Sequence, residues 1–229
     1  MTSHIEDNLF DIPDFRNKID VFRDRKHAGE ILAEMLSAYK NTNAIVFAIP
    51  AGGVPVAAEL AVRLQLSLEV AVVSKITLPW NTEAGYGAIA FDGTMILNED
   101  MISRLGLKES DIEKGIESTI IKVKRRVAEF KSDHSSRKVS GRVAILVDDG
   151  IASGYTMMVA VEALKKAGAS QIIIAVPTAH LENIKQLIGK VDAIYCANIR
   201  SGWSFAVADA YEFWSDVSEE EIIEILKGF

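Results

Sequence analysis

Little in the chain lends itself to cross-linking or to soft-metal chemistry. Cys196 is the only cysteine of 229 residues, which excludes intramolecular disulfides and cysteine-rich zinc sites. The four histidines, His4, His27, His134 and His180, are scattered and lack the close pairing that a histidine-based metal site needs. Basic charge is also short: 25 Lys and Arg stand against 32 Asp and Glu, a net charge of −7. The chain as a whole therefore carries no electrostatic footprint for DNA or RNA. The one basic cluster, "KVKRR" at 122–126, lies in a helical pattern of mixed charge and reads as a solvated face. No apolar run is long enough to cross a bilayer. The acidic opening "MTSHIEDNLFDIPDF" has no apolar core of the kind a secretory signal carries. These absences predict a cytoplasmic protein with neither membrane nor nucleic-acid partners. A small anionic substrate stays open, because local amides and a metal ion outweigh an unfavourable global charge.

What is present is the profile of a globular protein, 49% apolar and 25% charged. The length predicts one domain over 1–229, with residues 1–20 as an extension and 200–229 as an aromatic hood and terminal helix. "RDRKHAGEILAEML" from Arg23 spaces its apolar residues as an amphipathic helix. "NAIVFAI" from Asn43 is the continuous apolar run of a strand buried on both faces. It ends at "PAGGVP", and "VAAELAVRL" is helical. "LEVAVVSKI" reads as a second buried strand ending at Lys75. Asp92-Gly93 between "AIAF" and "TMIL" signals a hairpin. A charged helix over Glu109–Lys131 and an exposed link, "KSDHSSRKVSG", follow. Then come a strand–loop–helix, "VAILVDDGIASGYTM", two further strands, "QIIIAVPTA" and "VDAIYCANI", flanking the helix "HLENIKQLIG", and a capped acidic helix from about Ser218. Strands alternating with helices predict an α/β fold: a doubly wound, mainly parallel sheet with helices on both faces, plus the hairpin and the hood. Ligands in such folds sit beyond the carboxyl ends of the strands. That puts Ala51, Gly52, Gly53, Lys75 and residues 148–156 on one rim.

The stretch from Val143 to Met157 carries the chemistry. A loop of small residues entering a helix turns its N–H groups onto a phosphate. Gly150, Ile151, Ala152, Ser153, Gly154, Tyr155 and Thr156 form that loop, with Ser153 and Thr156 adding hydroxyls. Asp148 and Asp149 are acceptors and repel phosphate. They suit vicinal hydroxyls or a divalent cation instead. A sugar phosphate with free hydroxyls satisfies both halves. "DDG" alone is a common turn and helix cap; the order strand, two acids, small-residue loop, helix is what favours a site. There is neither a Walker A lysine nor a G-x-G-x-x-G, which argues against nucleoside-triphosphatase and dinucleotide readings.

"VAILVDDGIASGYTM" resembles the phosphoribosyl-pyrophosphate signature of the type I phosphoribosyltransferases. "VFRDRKHAGEILAEML", "AIPAGGVPVAAELA", "VVSKI" with Glu83, "GAIAFDGTMILNED" and "FAVADAYEFWSDVSEEEIIEIL" are similar to a branch known only as predicted phosphoribosyltransferases. The match runs over most of the chain from about Phe22. The resemblance implies that Asp148 and Asp149 take the ribose hydroxyls and contact Mg2+ directly or through water. It implies residues 150–156 for the 5-phosphate and Ala51, Gly52, Gly53 and Lys75 for pyrophosphate, with Asp148, Asp149 and Lys75 as the catalytic set. It implies a Mg2+-dependent transfer of ribose 5-phosphate to a nitrogenous base, a homodimer, and a lid, for which residues 77–92 are the candidate. Glu83 would orient metal-bound water or the acceptor, or is a solvated loop acid. The branch usually has a basic residue where this chain has Ala51, so a non-catalytic binder is the alternative, and a sugar-phosphate hydrolase a third. Trp203 and Phe205 are candidates to stack on the base, whereas Tyr211, Phe213 and Trp214 read as a satellite core.

Overall fold

The computed structural model describes residues 8–130 and 136–229, without the side chains of residues 82, 83, 136 and 137. His4, His134 and the side chain of Glu83 lie outside the described residues. In chain order the elements are β1 (Leu9–Phe10), α1 (Arg25–Met35), β2 (Ile45–Ala48), α2 (Gly53–Leu64), β3 (Ser67–Val70), β4 (Val73–Leu78), β5 (Asn81–Ala90) and β6 (Met95–Leu97). They continue with α3 (Glu99–Leu105), α4 (Glu109–Glu129), α5 (Ser136–Val139), β7 (Val143–Val147), α6 (Tyr155–Lys166), β8 (Gln171–His180), α7 (Leu181–Lys185), β9 (Ala193–Arg200) and α8 (Glu219–Leu226).

Six strands form a parallel sheet in the order β1-β9-β8-β7-β2-β3, and β4-β5-β6 form a small antiparallel sheet. Successive strand residues face opposite sides, and the core divides accordingly. Val46, Ala48, Ile145 and Val147 join one apolar cluster with α1, α2 and Ile222 of α8. Ile45, Phe47, Ala144 and Leu146 join the other with α6 and with Val73, Ala88 and Ala90 of the small sheet. Both faces of the central strands are thus buried, which explains runs with no polar alternation.

The strand order creates the site. β2 leads through α2 to β3 on one side, and β7 leads through α6 to β8 on the other. β2 and β7 are themselves paired, with Ala48 opposite Val147. Their outgoing loops diverge and leave a crevice at the point where the winding reverses.

One expectation needs correction. "LEVAVVSKI" is two strands: β3 ends at Val70, and the chain crosses to the small sheet, where Lys75 lies within β4. Ala71 and Val72 are fully buried at the crossing, so the apolar run continues across it with no polar residue to mark the break. The candidate lid, 77–92, is mostly strand: Leu78 pairs with Asn81 and Thr77 with Gly85, and Tyr86 is buried. Its exposed tip is the turn at Pro79 and Trp80. The Asp92-Gly93 hairpin is present, with Gly93 at φ +85° and Asp92 accepting from the Thr94 N–H at 2.9 Å. β1 was not anticipated; Leu9 and Phe10 extend the sheet beside β9. No helix among the described residues is long and apolar enough to cross a membrane. Arg125 and Arg126 of the basic cluster both donate to Glu219 at the start of α8.

Candidate active site

A cleft of about 290 Å³ opens beyond the ends of β2 and β7. Ala51 and Gly52 form one wall, Asp148 and Asp149 the floor, and residues 150–154 with Thr156 the opposite wall. Lys75 enters from the small sheet, and Val207 and Trp214 close the cleft from the C-terminal segment. Although Lys75 ends no strand of the main sheet, it reaches the same crevice. Gly85 lets its stem pass: a Cβ there would stand 3.1 Å from the Lys75 Cβ. Of the other expected residues, Gly53 begins α2 directly behind Asp148, and Tyr155 begins α6.

Two helices begin at this rim, and neither has a side-chain cap. α2 starts from Gly52 and α6 from Gly154, the latter at φ +79°. Asp24, Asn98 and Ser218 cap α1, α3 and α8, whereas α4, away from the cleft, also starts without a side-chain cap. An uncapped helix start carries partial positive charge and, at α6, leaves its first N–H groups without intrahelical partners. At α2 the Gly53 and Val54 N–H groups already donate to the Ile49 and Ala51 carbonyls at 3.1 Å and residue 55 is proline, so that start offers its dipole and the backbone around Gly52. The loop before α6 is held open by other contacts. The Ile151 N–H donates to the Thr178 carbonyl at 3.0 Å, and the Asn183 amide donates to the Ala152 carbonyl. The Ile151 amide is therefore already engaged, unlike the N–H groups that follow it at the start of α6.

The glycines opposite the acids are required by contact. A Cβ on Gly52 would lie 1.7 Å from Asp149 Oδ2, and one on Gly53 would lie 2.7 Å from the Val147 carbonyl oxygen. The loop after β2 thus packs its bare backbone onto the acid pair. The Pro50–Ala51 peptide in that loop is cis.

Asp149 is held on several sides. Arg25 Nε donates to its Oδ2 at 3.0 Å, and Tyr211 Oη donates to its carbonyl oxygen at 2.6 Å. Asp148 Oδ1 accepts the Asp149 N–H at 2.9 Å. Burial, and then the adjacent Asp149 charge, push the Asp148 carboxyl well above the ordinary 3.8, with Lys75 drawing it back only in part. Burial also raises Asp149, against the pull of the Arg25 guanidinium. A carboxyl raised on folding contributes stability that is complete below its unfolded value and lost as pH climbs through its raised value. Asp148→Asn keeps an acceptor for the Asp149 N–H without the charge. Its melting temperature is expected to rise relative to the wild type as pH goes from about 4 to about 8. Thermal scans across pH check this; a difference that stays flat with pH removes Asp148 as a strained carboxylate.

Sequence reasoning missed Arg25 and Trp214. The Arg25 guanidinium carbon sits 3.9 Å from the Trp214 ring centroid, and its Nη1 donates to the Ser215 carbonyl at 2.7 Å. An arginine in the first turn of an amphipathic helix resembles any solvated cation, and no local signal set it apart. Of the expected satellite core, Tyr211 is buried, but Phe213 is 69% exposed and Trp214 lines the cleft. Five aromatics close in sequence raise the expectation of mutual burial, yet the segment runs along the surface and turns only some of them inward. Trp203 and Phe205 flank a separate, open depression of about 770 Å³ that shares Ala152 and Ser153 with the cleft. Trp203 is fully exposed there, and the Phe205 ring meets the His180 ring edge-on at 5.8 Å.

No group of three or more His, Cys, Asp or Glu side chains able to hold a metal occurs among the described residues. The adjacent acids fit Mg2+ all the same, since that ion is commonly held by one or two carboxylates together with substrate phosphates rather than by a protein cage.

Paired acids beside an uncapped helix start, at the switch point of a parallel sheet, define a class: an α/β protein whose cleft lies beyond the carboxyl ends of its central strands. The sequence profile of the phosphoribosyl transferase domain matches residues 23–210, and the chain belongs to that family. Two Mycobacterium tuberculosis proteins, from strains CDC 1551 and H37Rv, are provisionally named phosphoribosyl transferases. Each is 32% identical over 206 residues, covering 90% of this chain and 46% of its own length. The chain thus spans about half the length of these curated relatives. The crystal structure of the protein TT1426 from Thermus thermophilus is similar at 29% identity and a TM-score of 0.70, covering 90% of this chain and 97% of that one.

Proposed function

We propose that this chain is a Mg2+-dependent phosphoribosyltransferase, joining a nitrogenous base to ribose 5-phosphate from phosphoribosyl pyrophosphate and releasing pyrophosphate. The observation that carries the reading is the half-buried acid pair set between the Gly52 wall and the uncapped start of α6. Asp148 and Asp149 accept the ribose hydroxyls. The start of α6, with Ser153 and Thr156, donates to the 5-phosphate. The backbone around Ala51 and Gly52 and the dipole of α2, with Lys75, meet the pyrophosphate. A nitrogen of the base forms its bond to C1 as the bond from C1 to the pyrophosphate oxygen breaks, and that oxygen takes the electron pair. The protein's part is to orient the sugar and to stabilise the charge that develops on the leaving group. Mg2+ held by Asp148 and Asp149 would supply further charge neutralisation on the pyrophosphate. Trp203 and Phe205 offer aromatic surface next to the 5-phosphate loop for the base.

One observation favours a second reading, a regulator that binds the sugar phosphate without transferring it. Ala51 brings no charge to the pyrophosphate wall, so among the described residues Lys75 is the only lysine or arginine lining the cleft. Calorimetric titration with Mg2+ and phosphoribosyl pyrophosphate, followed by a pyrophosphate-release assay over a panel of purines and pyrimidines, separates the two. Binding with no release for any base sinks the enzyme; release with water alone points to a hydrolase. Ala51→Arg is expected to tighten pyrophosphate binding about tenfold by adding one charge-assisted contact. The same titration checks this, and an unchanged affinity removes residues 51–53 from the pyrophosphate subsite.

A further inference from the structure

We propose that Arg25 is a positioning residue for this site: it fixes the Asp149 carboxylate and is itself fixed by Trp214 and Ser215. The proposal rests on the reading of the cleft as a phosphoribosyl pyrophosphate site and adds a residue from outside its loops.

The geometry is that of a built support. The Arg25 side chain is only 10% exposed and the Asp149 side chain 14%. Its guanidinium spends each of its surfaces: one edge on Asp149 Oδ2, another on the Ser215 carbonyl, and a face on the Trp214 ring. An exposed ion pair needs none of this and contributes little. The planar, forked guanidinium can meet a carboxylate, a carbonyl and an aromatic face together, which an ammonium cannot.

Asp149 needs such a support. Its carboxylate packs against the bare Cα of Gly52, so its room on that side depends on the glycine, which gives it no polar partner there. Tyr211 anchors only its backbone carbonyl. Among the described residues, Arg25 is the side chain from outside the acid pair that hydrogen-bonds this carboxylate, and it does so at Oδ2. The support comes from α1 and the C-terminal segment, so three parts of the chain distant in sequence converge on one carboxylate.

The test is a double-mutant cycle read by calorimetry with Mg2+ and phosphoribosyl pyrophosphate. Arg25→Gln is expected to weaken binding about tenfold, with Arg25→Lys intermediate and Trp214→Ala shifted in the same direction. In an Asp149→Asn background, Arg25→Gln is expected to cost less than about twofold more, because its effect passes through Asp149. Thermal melts identify any variant that fails to fold, and Arg25→Lys and Trp214→Ala then carry the test. Full affinity in Arg25→Gln, or equal losses with and without Asp149, overturns the positioning role and leaves the parent reading intact. No binding by the wild-type protein overturns the parent reading, and this proposal with it.

Discussion

Asparagine at position 149 is expected to weaken phosphoribosyl pyrophosphate binding about 100-fold while leaving the fold nearly as stable. On the proposed assignment the carboxylate accepts from ribose hydroxyls, and hydrogen bonds to a charged partner are worth about 1.5–3 kcal/mol each. Losing roughly 2.7 kcal/mol corresponds to about a factor of 100. The folded state loses less, because Arg25 Nε, 3.0 Å from Oδ2, keeps an acceptor if the new amide turns its oxygen that way. A change of about 1 kcal/mol moves the melting temperature of a protein this size by about 2–4 °C. Calorimetry and thermal melts of the same preparation read both quantities. Unchanged affinity removes Asp149 from the ribose subsite; a collapse in melting temperature with no separate binding loss makes it a structural residue.

The second large effect is at Gly53. Alanine at the first position of a helix ordinarily stabilises it, by up to about 1 kcal/mol over glycine. Here the added Cβ would sit 2.7 Å from the Val147 carbonyl oxygen and 2.9 Å from the Asp148 Cα. Both are backbone atoms at the carboxyl end of β7, a central strand, and have no rotamer to escape into. Forcing atoms into packed surroundings costs about 1–3 kcal/mol, so the sign reverses. Gly53→Ala is expected to lower the melting temperature by several degrees, at about 2–4 °C per kcal/mol, and to weaken ligand binding by parting the two walls of the cleft. An unchanged or higher melting temperature contradicts the close approach.

Much of this arrangement was legible in the residues. The central strands declared themselves because a strand covered on both sides has no polar partner to alternate with, as "VAILV" and "QIIIAV" show. That the acid pair and its loop share one cleft was legible because an order of strand, two acids, small-residue loop and helix places them together at the carboxyl end of a strand. Strand order was not legible. Nothing in "NAIVFAI" announces that its neighbour lies about a hundred residues onward, yet that pairing makes the crevice. The break in "LEVAVVSKI" was hidden for a related reason: a residue passing between two buried sheets is as apolar as one inside either. Arg25 stayed hidden because its function lies in what it touches, and its partners Asp149, Trp214 and Ser215 are far away in sequence. Leu9 and Phe10 were missed because two residues are too few to show a period.

The pairing of β2 with β7 has a consequence for the order in which the protein comes into being. β7 lies in the interior of the sheet, between β2 and β8, but it is made long after β2. While a ribosome is still extending the chain through α4, the growing polypeptide has the Gly52 wall and Lys75 but no acids and no second helix start. On the proposed assignment, a ligand has nothing to grip at that stage and cannot guide folding. It rewards only the later step, when β7 docks against β2 and brings Asp148 and Asp149 with it. In the cell, ligand would therefore act on newborn chains as a late fastener, holding together two halves that had to find each other unaided.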